Sequence, residues 1–304
     1  MLKTSKRPLI LFMNDKAKYN VRYRSNLMRE LEKHYTIESV GCFDKITSLF
    51  STILKLVFGS YILTVSSNIK SNLLNLTIFW RKKVLIFNGL GRYRQSKILR
   101  TFIILFFRMQ LQENLVFIQN YADFRYFRKY AKVSTEFFWM PGSGGTKRKI
   151  GDSRSSVSVI TRDGKLQKQI ASIEEFLCVT QNQLRLILVG INKLPDFASD
   201  KLTYECVGYV DQSDIMSYSE AVLVPDGYGE GIPHSLVDAV MSGAVIYLSK
   251  VNFIQYGFYK VTNCKLIRHT ERWVELSTND ALKSLVDSEN IVSNVCQKID
   301  SFLK

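Results

Sequence analysis

Residues 225–243 have the sequence Pro-Asp-Gly-Tyr-Gly-Glu-Gly-Ile-Pro-His-Ser-Leu-Val-Asp-Ala-Val-Met-Ser-Gly, a glycine-rich turn followed by a helical pattern. The apolar run Ala221–Val224 before it predicts a strand. The apolar spacing after it predicts a helix over Ile232–Met241, with Pro233 at a favoured first helical position. The intervening glycines let a ligand approach the backbone closely. Free N–H groups at the start of a helix attract anions, so the stretch predicts a diphosphate site.

Two carboxylates flank the start of this predicted helix. Glu230 lies just before it, and Asp238 lies eight positions later, inside it. Both can line one edge of a ligand, where carboxylates accept hydrogen bonds from hydroxyl groups. The alternative is an ordinary helix start with solvated acids.

Short apolar runs alternate with helical patterns along the chain, which is typical of α/β proteins with parallel sheets. A stretch rich in Gly and polar residues begins at Met140, and we place a linker there, between two Rossmann-like domains at 1–145 and 146–304. Other strands are predicted at Leu9–Met13, Ile37–Val40, Tyr61–Val65, Val84–Phe87, Leu115–Ile118, Phe137–Trp139, Val157–Ile160, Leu184–Val189, Tyr204–Val207 and Ala244–Leu248. Other helices are predicted at Tyr23–Lys33 and Gln167–Cys178, from Asp211 or Ser213 to Ser219, and at Asn290–Leu303, where a helix closes the second domain.

Positive charge is concentrated in the first half of the chain. Residues 1–150 contain 27 Lys/Arg and 8 Asp/Glu, a net charge of +19, whereas residues 151–304 contain 15 and 19, a net charge of −4. A basic half suits an anionic membrane surface, a phosphate-bearing acceptor or nucleic acid. No apolar run reaches the roughly 20 residues of a membrane-spanning helix. Ile98–Leu111 is either a basic amphipathic helix on a bilayer or a half-buried helix of a Rossmann domain.

Residues 230–239 resemble the Glu-x7-Glu region of family-four retaining glycosyltransferases, which has the form Glu-Gly-x-Pro-x-x-x-x-Glu-Ala. Here the region stands as Glu230-Gly-Ile-Pro followed by Asp238-Ala. The second acid is Asp instead of Glu, and the later Gly-x-Pro-Val-Ile is shortened to Gly243-Ala-Val-Ile. Weaker resemblances follow in the family's order, between about residues 8 and 250, at Val65–Lys70, Phe87–Gly91, Phe117–Asn120, Trp139–Gly144 and Val207–Val210.

The resemblance implies a GT-B fold, in which two Rossmann-like domains face each other across a cleft. It implies retaining transfer of a hexose or N-acetylhexosamine from a nucleotide diphosphate sugar, with UDP favoured, to a glycan or lipid-linked glycan acceptor. The implied setting is surface polysaccharide synthesis by a peripheral protein on the cytoplasmic face of a bacterial inner membrane. No Asp-x-Asp element is placed as a metal ligand, so we expect neither a metal nor another cofactor.

The resemblance also assigns roles to residues. On the donor side, Arg162 and Lys168 neutralise the diphosphate, with Lys165 as the alternative to Lys168. Glu230 lies near the hydroxyls of the transferred sugar, and Asp238 holds the ribose. The other donor-site residues are Gly229, Gly231, Ile232 and Val210. The acceptor side is assigned to Asn88, Gly89 and Gly91, with Arg92 and Arg94 beside them.

Two other functions stay open. Basic and aromatic residues alternate over Tyr121–Tyr130, superficially like the stacking platform of a nucleic-acid-binding protein, although their density favours a core role and we expect no nucleic-acid partner. Asp238 and the glycine-free loop Met13–Ala17 are compatible with a relative that binds a nucleotide sugar without turnover. A dinucleotide-dependent oxidoreductase is disfavoured because no Gly-x-Gly-x-x-Gly follows the first strand.

Overall fold

The computed structural model describes residues 7–91, 96–131, 135–181, 184–193, 197, 203–226, 231–267 and 270–304. The chain forms two compact units, one of Met1–Ser143 with Glu289–Lys304 and one of Gly144–Ser288. Each unit has a sheet dominated by parallel strands and covered by helices. The predicted α/β class with two Rossmann-like units is confirmed, whereas the cleft between them stays a prediction.

The first unit is built on a six-stranded sheet. Its strands are β1 (Leu9–Asn14), β2 (Thr36–Gly41), β3 (Leu63–Ser67), β4 (Lys83–Phe87), β5 (Asn114–Ile118) and β6 (Thr135–Trp139). They are parallel and lie in the order β2-β1-β3-β4-β5-β6. The strand order therefore reverses between β1 and β3. Every residue of β3, β4 and β5 is buried, as expected for inner strands of a sheet that is covered on both faces.

Helices cover both faces of the first sheet. On one face lies α1 (Ala17–Leu31), which packs Leu27 and Leu31 against Ile10 and Phe12 of β1. The helices of the other face are α2 (Ile46–Phe58), α3 (Ile69–Leu76), α4 (Lys97–Arg108) and α5 (Tyr121–Tyr130). Two of them begin at side-chain caps, since Ser96 accepts a hydrogen bond from the Leu99 N–H and Asn120 from the Ala122 N–H.

The second unit is built on a seven-stranded sheet. Its strands are β7 (Ser156–Ile160), β8 (Arg185–Val189), β9 (Tyr204–Val207), β10 (Ala221–Val224), β11 (Val245–Ser249), β12 (Cys264–Leu266) and β13 (Trp273–Leu276). They lie in the order β12-β13-β11-β10-β7-β8-β9. Strands β7 to β11 are parallel, and β13 joins them antiparallel to β11. Here the order reverses between β7 and β10.

Alternate residues of β10 face opposite helix layers of the second unit. Ala221 and Leu223 pack with α6 (Asp163–Leu166) and α7 (Ile170–Val179). Val222 and Val224 pack with the helices of the other face, which are α8 (His234–Ser242), α9 (Lys250–Tyr256) and α10 (Asp280–Val286), and with a 3-10 turn at Phe258–Lys260. Because both faces are apolar, the strand sequence is continuously hydrophobic.

The closing helix α11 (Ser288–Leu303) belongs to the first unit, so its predicted place in the second domain is wrong. Its buried residues Ile291, Val295 and Ile299 join the core beneath α1. The Tyr35 hydroxyl also donates to Asp300 Oδ1 at 2.8 Å. The amphipathic pattern predicted the helix correctly, but the pattern does not specify which apolar face receives it.

Two other predicted helices differ from the structure. The segment from Asp211 to Ser219 forms consecutive turns, closed by Asp214 N–H to Asp211 C=O and Ser217 N–H to Asp214 C=O bonds of 3.0 Å. Ser and Asp side chains compete for backbone groups and favour such turns. The helix predicted at Gln167–Cys178 begins later, as α7 at Ile170, and residues 167–169 form a turn after α6 instead. The buried Gln169 in this turn accepts a hydrogen bond from Thr161 Oγ1 at 2.6 Å.

Replacement of Ile299 by Ala tests the return of the chain to the first unit. Ile299 is fully buried, so the cavity should lower the free energy of unfolding by about 2–5 kcal/mol. In native-state hydrogen exchange, the amides of β1, β3, β4 and β5 should exchange faster than in the wild type. The matched control Gln297→Ala removes an exposed side chain of the same helix and should change little. Faster exchange confined to the second unit would contradict the assignment of α11.

Candidate functional site

The carboxyl ends of β7 and β10 lie side by side where the order of the second sheet reverses. In open α/β sheets, ligands bind outside the carboxyl ends of the strands at such a point. Thr161 and Arg162 follow β7, and Pro225 and Asp226 follow β10. The structure therefore places the predicted cation Arg162 and the predicted diphosphate turn after neighbouring strands.

Arg162 directly precedes α6, with an extended backbone (φ −144°, ψ 154°) and an exposed side chain. Within the described ranges, no acid forms an ion pair with it. The next residue, Asp163, accepts hydrogen bonds from the N–H groups of Asn192 and Lys193 at 3.1 and 3.3 Å. These bonds tie the start of α6 to the loop after β8, so the backbone that carries Arg162 is held at the strand ends.

Of the two lysines considered for the diphosphate, Lys168 is exposed and Lys165 is half-buried. Lys165 lies in the single turn of α6, and Lys168 lies between α6 and α7 with its N–H bonded to the Lys165 carbonyl at 3.0 Å. Both therefore follow Arg162 within one short segment.

The structure describes the two ends of the glycine-rich turn at 225–231. Its first two residues, Pro225 and Asp226, and its last, Gly231, are described, while the predicted Gly229 and Glu230 lie in 227–230, outside the described residues. The predicted donor residues Gly231 and Ile232 are buried. Pro233 takes the cap position with ψ 142°, so α8 begins at His234 instead of including the proline. The first N–H groups of a helix have no acceptor within it, and they suit an anion.

Asp226 anchors the start of this turn. Its Oδ1 accepts hydrogen bonds from Ser249 Oγ at 2.7 Å and Asn252 Nδ2 at 2.8 Å, and its own N–H donates to Ser172 Oγ at 2.9 Å. Arg272 Nη2 lies 3.7 Å from Asp226 Oδ2. These contacts join β10, β11 and α7 at the carboxyl edge, and they stiffen the end of the turn where it leaves the sheet.

Asp238 has a partner other than the predicted ribose. It is 4% exposed, and its Oδ1 accepts a hydrogen bond from the Thr146 N–H at 2.9 Å. Arg148 Nε lies 3.6 Å from Oδ2, too long for a hydrogen bond. Burial raises the pKa of Asp238, and its contacts with Thr146 and Arg148 oppose that rise. Oδ1 therefore holds the start of the second unit against α8, while the ribose contact of this carboxylate stays a prediction.

Gly145 permits this contact, because a Cβ there would lie 2.5 Å from the Val237 carbonyl oxygen of α8. Its neighbour Gly144 has φ +96°, a conformation that favours glycine. The last two residues of the Pro-Gly-Ser-Gly-Gly stretch, which was interpreted from the sequence as a linker, thus begin the second unit, and Gly145 packs closely on α8.

The loop after β9 carries the predicted residue Val210, which is half-buried. Its neighbour Tyr209 is 87% exposed, and sequence reasoning missed it. An exposed ring at the carboxyl edge offers a stacking surface to a nucleobase. The pattern Val-Gly-Tyr-Val indicated a loop. Nothing in these four residues indicates that the tyrosine ring would project into solvent.

In the first unit, the predicted acceptor-side residues Asn88, Gly89 and Gly91 follow β4 at its carboxyl end. Gly89 has φ 157° and Gly91 φ 52°. Leu90 between them donates its N–H to Asp123 Oδ2 at 2.9 Å. The loop is therefore bonded to the first turn of α5. Arg92 and Arg94, named with it, lie outside the described residues.

Asn88 belongs to a larger polar cluster that sequence reasoning missed. The cluster contains Arg24 of α1, Asn14 at the end of β1 and Asn68 after β3. One signal was available, because each of the three asparagines comes at or soon after the end of a predicted strand. Arg24 gave no signal, since its position in an amphipathic helix is typical of an exposed residue.

No group of three or more His, Cys, Asp and Glu side chains that suits a metal ion is found in the described part of the chain. The expectation that the protein works without a metal stays a prediction.

Two solved structures are similar to this chain over nearly its whole length. The glycotransferase of kitacinnamycin is 11% identical, with 98% of this chain and 96% of that chain covered and a TM-score of 0.47. The T4 phage beta-glucosyltransferase is 13% identical, with 97% of each chain covered and a TM-score of 0.44. No family model and no curated protein matches. Because both TM-scores are below 0.5, the activity of this chain has to be inferred from its own residues.

The Asp238→Asn variant separates a structural carboxylate from a ribose ligand. The amide keeps an acceptor for the Thr146 N–H, so we expect nucleoside diphosphate binding to be unchanged. Because the folded-state pKa of Asp238 is raised, the wild type loses stability as pH rises from 3.8, the ordinary Asp pKa, through the folded value. The Asn variant lacks this loss and should gain stability relative to wild type as pH rises. Denaturation at several pH values and calorimetric titration measure both effects, and a large loss of nucleotide affinity would support the ribose role instead.

Proposed function

We propose that this protein is a glycosyltransferase that binds a nucleotide diphosphate sugar at the carboxyl edge of its second sheet. The observation that supports it most is the placement of Arg162 and the start of α8 after the neighbouring strands β7 and β10. A guanidinium fork and helix N–H groups both suit phosphate oxygens. Tyr209, exposed after β9 at the same edge, supplies a stacking surface for the base.

The chemistry proposed for this edge is transfer with retention of anomeric configuration. Arg162 and Lys168, or Lys165 in its place, neutralise the charge that develops on the leaving diphosphate. Glu230 accepts hydrogen bonds from the sugar hydroxyls, and the leaving phosphate takes the acceptor's proton. No side chain is assigned as a nucleophile.

The finer proposal concerns substrates and setting. The donor is a UDP-linked hexose or N-acetylhexosamine, and the acceptor is a glycan or lipid-linked glycan in surface polysaccharide synthesis at the cytoplasmic face of a bacterial membrane. The family resemblance of residues 230–239 supports this choice. No metal is required, so activity should survive a chelator.

The Arg162→Ala variant tests the donor site. A ligand that binds only the folded state raises its stability by about 2.7 kcal/mol at a hundredfold excess over its dissociation constant. We expect UDP to stabilise the wild type and to lose most of this effect in the variant. GDP, CMP, ATP and NAD, screened in parallel by thermal shift, identify the nucleotide.

Arg154→Ala is the matched control for this experiment. It removes the same charge before β7, at the opposite end of that strand, where Arg154 is 89% exposed and pairs with Glu220. The control should bind UDP as the wild type does. Equal loss in both variants, or no response to any nucleotide, would overturn the donor site.

Two helices of the first unit expose apolar stripes on the same side of its sheet. We call these stripes the outer apolar surface. They consist of Ile46, Phe50, Leu54 and Phe58 on α2, of Ile98, Phe102 and Leu105 on α4, and of Met109 directly after α4, all exposed. None of the described helices is long and apolar enough to span a membrane. Since residues 1–150 carry a net charge of +19, we propose that this surface lies on an anionic bilayer.

A Phe50→Ser, Phe102→Ser double variant tests membrane contact. The wild type should cosediment with phosphatidylglycerol vesicles more than with phosphatidylcholine vesicles, and the double variant should lose most of this binding. The control Val251→Ser, Ile254→Ser removes two exposed apolar residues of α9 and should bind as the wild type does. Vesicle binding that survives in the double variant, or self-association of the wild type through these residues, would contradict the proposal.

The nucleic-acid alternative receives little support from α5. Phe127 is fully buried, and the Arg100 and Lys129 cations lie over the rings of Tyr126 and Tyr130 at 5.0 and 5.1 Å. These rings already have partners in the first unit. Salt-sensitive binding to random oligonucleotides, without any nucleotide response, would favour this alternative. Nucleotide binding without turnover on any acceptor would favour a degenerate relative.

A further inference from the structure

Arg24 is a buried cation whose hydrogen-bond partners in the described part of the chain are neutral. It lies in α1, is 4% exposed, and donates from Nε to Ser67 Oγ at 3.0 Å and from Nη2 to Asn88 Oδ1 at 2.9 Å. Across the described ranges, no carboxylate forms an ion pair with it. Burial lowers the pKa of Arg24 to about 10, which leaves it charged at neutral pH. Because an unpaired buried charge destabilises a fold, neutral partners alone do not account for an arginine here.

The position of Arg24 is where a ligand is expected. Asn14, Asn68 and Asn88 stand at the carboxyl ends of β1, β3 and β4, where the order of the first sheet reverses. Their amides form a chain, since Asn88 Nδ2 donates to Asn68 Oδ1 and Asn68 Nδ2 donates to Asn14 Oδ1. Asn68 and Asn88 are half-exposed, so a ligand at this edge meets their amides with the guanidinium beside them.

Asn68 has a backbone conformation that is costly for its residue type. Its φ of 73° and ψ of 162° fall in a region that is essentially restricted to glycine. The conformation is held by the Asn68 N–H, which donates to the Ile86 carbonyl at 3.2 Å, and by the Asn68 carbonyl, which accepts from the Asn72 N–H at 3.0 Å. Strain of this kind persists mainly at ligand sites, and here it directs the amide between Asn14 and Asn88.

We propose that Arg24, Asn14, Asn68 and Asn88 form a second anion site, which binds a phosphate group of a ligand. Arg24 Nη1 has no hydrogen-bond partner among the described residues, so part of the guanidinium fork remains for an oxyanion. The bound phosphate supplies a counter-ion that Arg24 does not have among the described residues. The inference rests on the proposed function only in naming this phosphate as that of the glycosyl acceptor.

Calorimetric titration of the full chain with inorganic pyrophosphate tests the site. An Arg162→Ala background removes the proposed donor site, so that any remaining binding reports on the first unit. Adding Arg24→Gln to this background should weaken binding about tenfold or more, because a charge-assisted hydrogen bond is lost. Adding Arg29→Gln instead removes the same charge from an exposed position of α1 and should leave binding unchanged.

The outcomes separate this site from the donor site. If nucleotides do not bind but pyrophosphate binding depends on Arg24, the donor proposal fails and the second site stands. If the Arg24→Gln and Arg29→Gln chains bind pyrophosphate equally, or if the Arg162→Ala chain does not bind it, the second site is overturned. Tighter binding of a water-soluble prenyl diphosphate than of pyrophosphate identifies a lipid-borne phosphate, and equal binding identifies a free diphosphate group.

Asn88→Asp keeps the test decisive if Arg24→Gln fails to fold. The new carboxylate, close to Arg24 Nη2, supplies an internal counter-ion and repels phosphate. We expect a folded protein whose pyrophosphate affinity is reduced about tenfold or more in the Arg162→Ala background. Unchanged affinity in a folded Asn88→Asp chain would overturn the site.

Discussion

Parallel strand pairing with one reversal of strand order is the constraint on which both units depend. Parallel strands place all their carboxyl ends at one edge of the sheet. Where the strand order reverses, the loops that follow two neighbouring strands turn to opposite faces of the sheet and leave a crevice between them. In the second unit this constraint brings the loops after β7 and β10 to adjacent positions. In the first unit it gathers Asn14, Asn68 and Asn88 around Arg24. The same topology thus underlies both proposed anion sites, which are built from unrelated residues.

The strands could be predicted from the sequence because sheets covered on both faces require continuous apolar runs, as in β4 and β10. The position of Arg162 could be predicted for a related reason. A residue directly after a parallel strand lies at the carboxyl edge of the sheet, wherever the helices pack. The contact of Asp238 with Thr146 could not be predicted, because the two residues are 92 positions apart in the chain. The burial of Arg24 could not be predicted either, because it depends on Ser67 at the end of β3 and on Asn88 after β4, which are far from α1 in sequence.

The polar groups of the two edges are arranged differently. At the second sheet, Arg162 and Lys168 are exposed, and hydration lowers the cost of their charge until a ligand arrives. At the first sheet, Arg24 is already desolvated and is held by neutral partners. Its side chain therefore loses its conformational entropy when the protein folds, before any ligand binds. Preorganised groups of this kind bind with less loss of entropy than mobile ones. The site proposed at the first edge therefore suits a defined group, and the proposed donor site suits a larger ligand that orders the exposed side chains when it binds.

The return of α11 to the first unit also sets the order in which a newly made chain can mature. Domains generally fold as they leave the ribosome, with the N-terminal one first. Here the apolar face that contains Ile10 and Phe12 stays partly uncovered until Ile291, Val295 and Ile299 have been synthesised. The second unit is therefore complete in sequence before the first. A chain that lacks α11 leaves this apolar face open to chaperones and proteases.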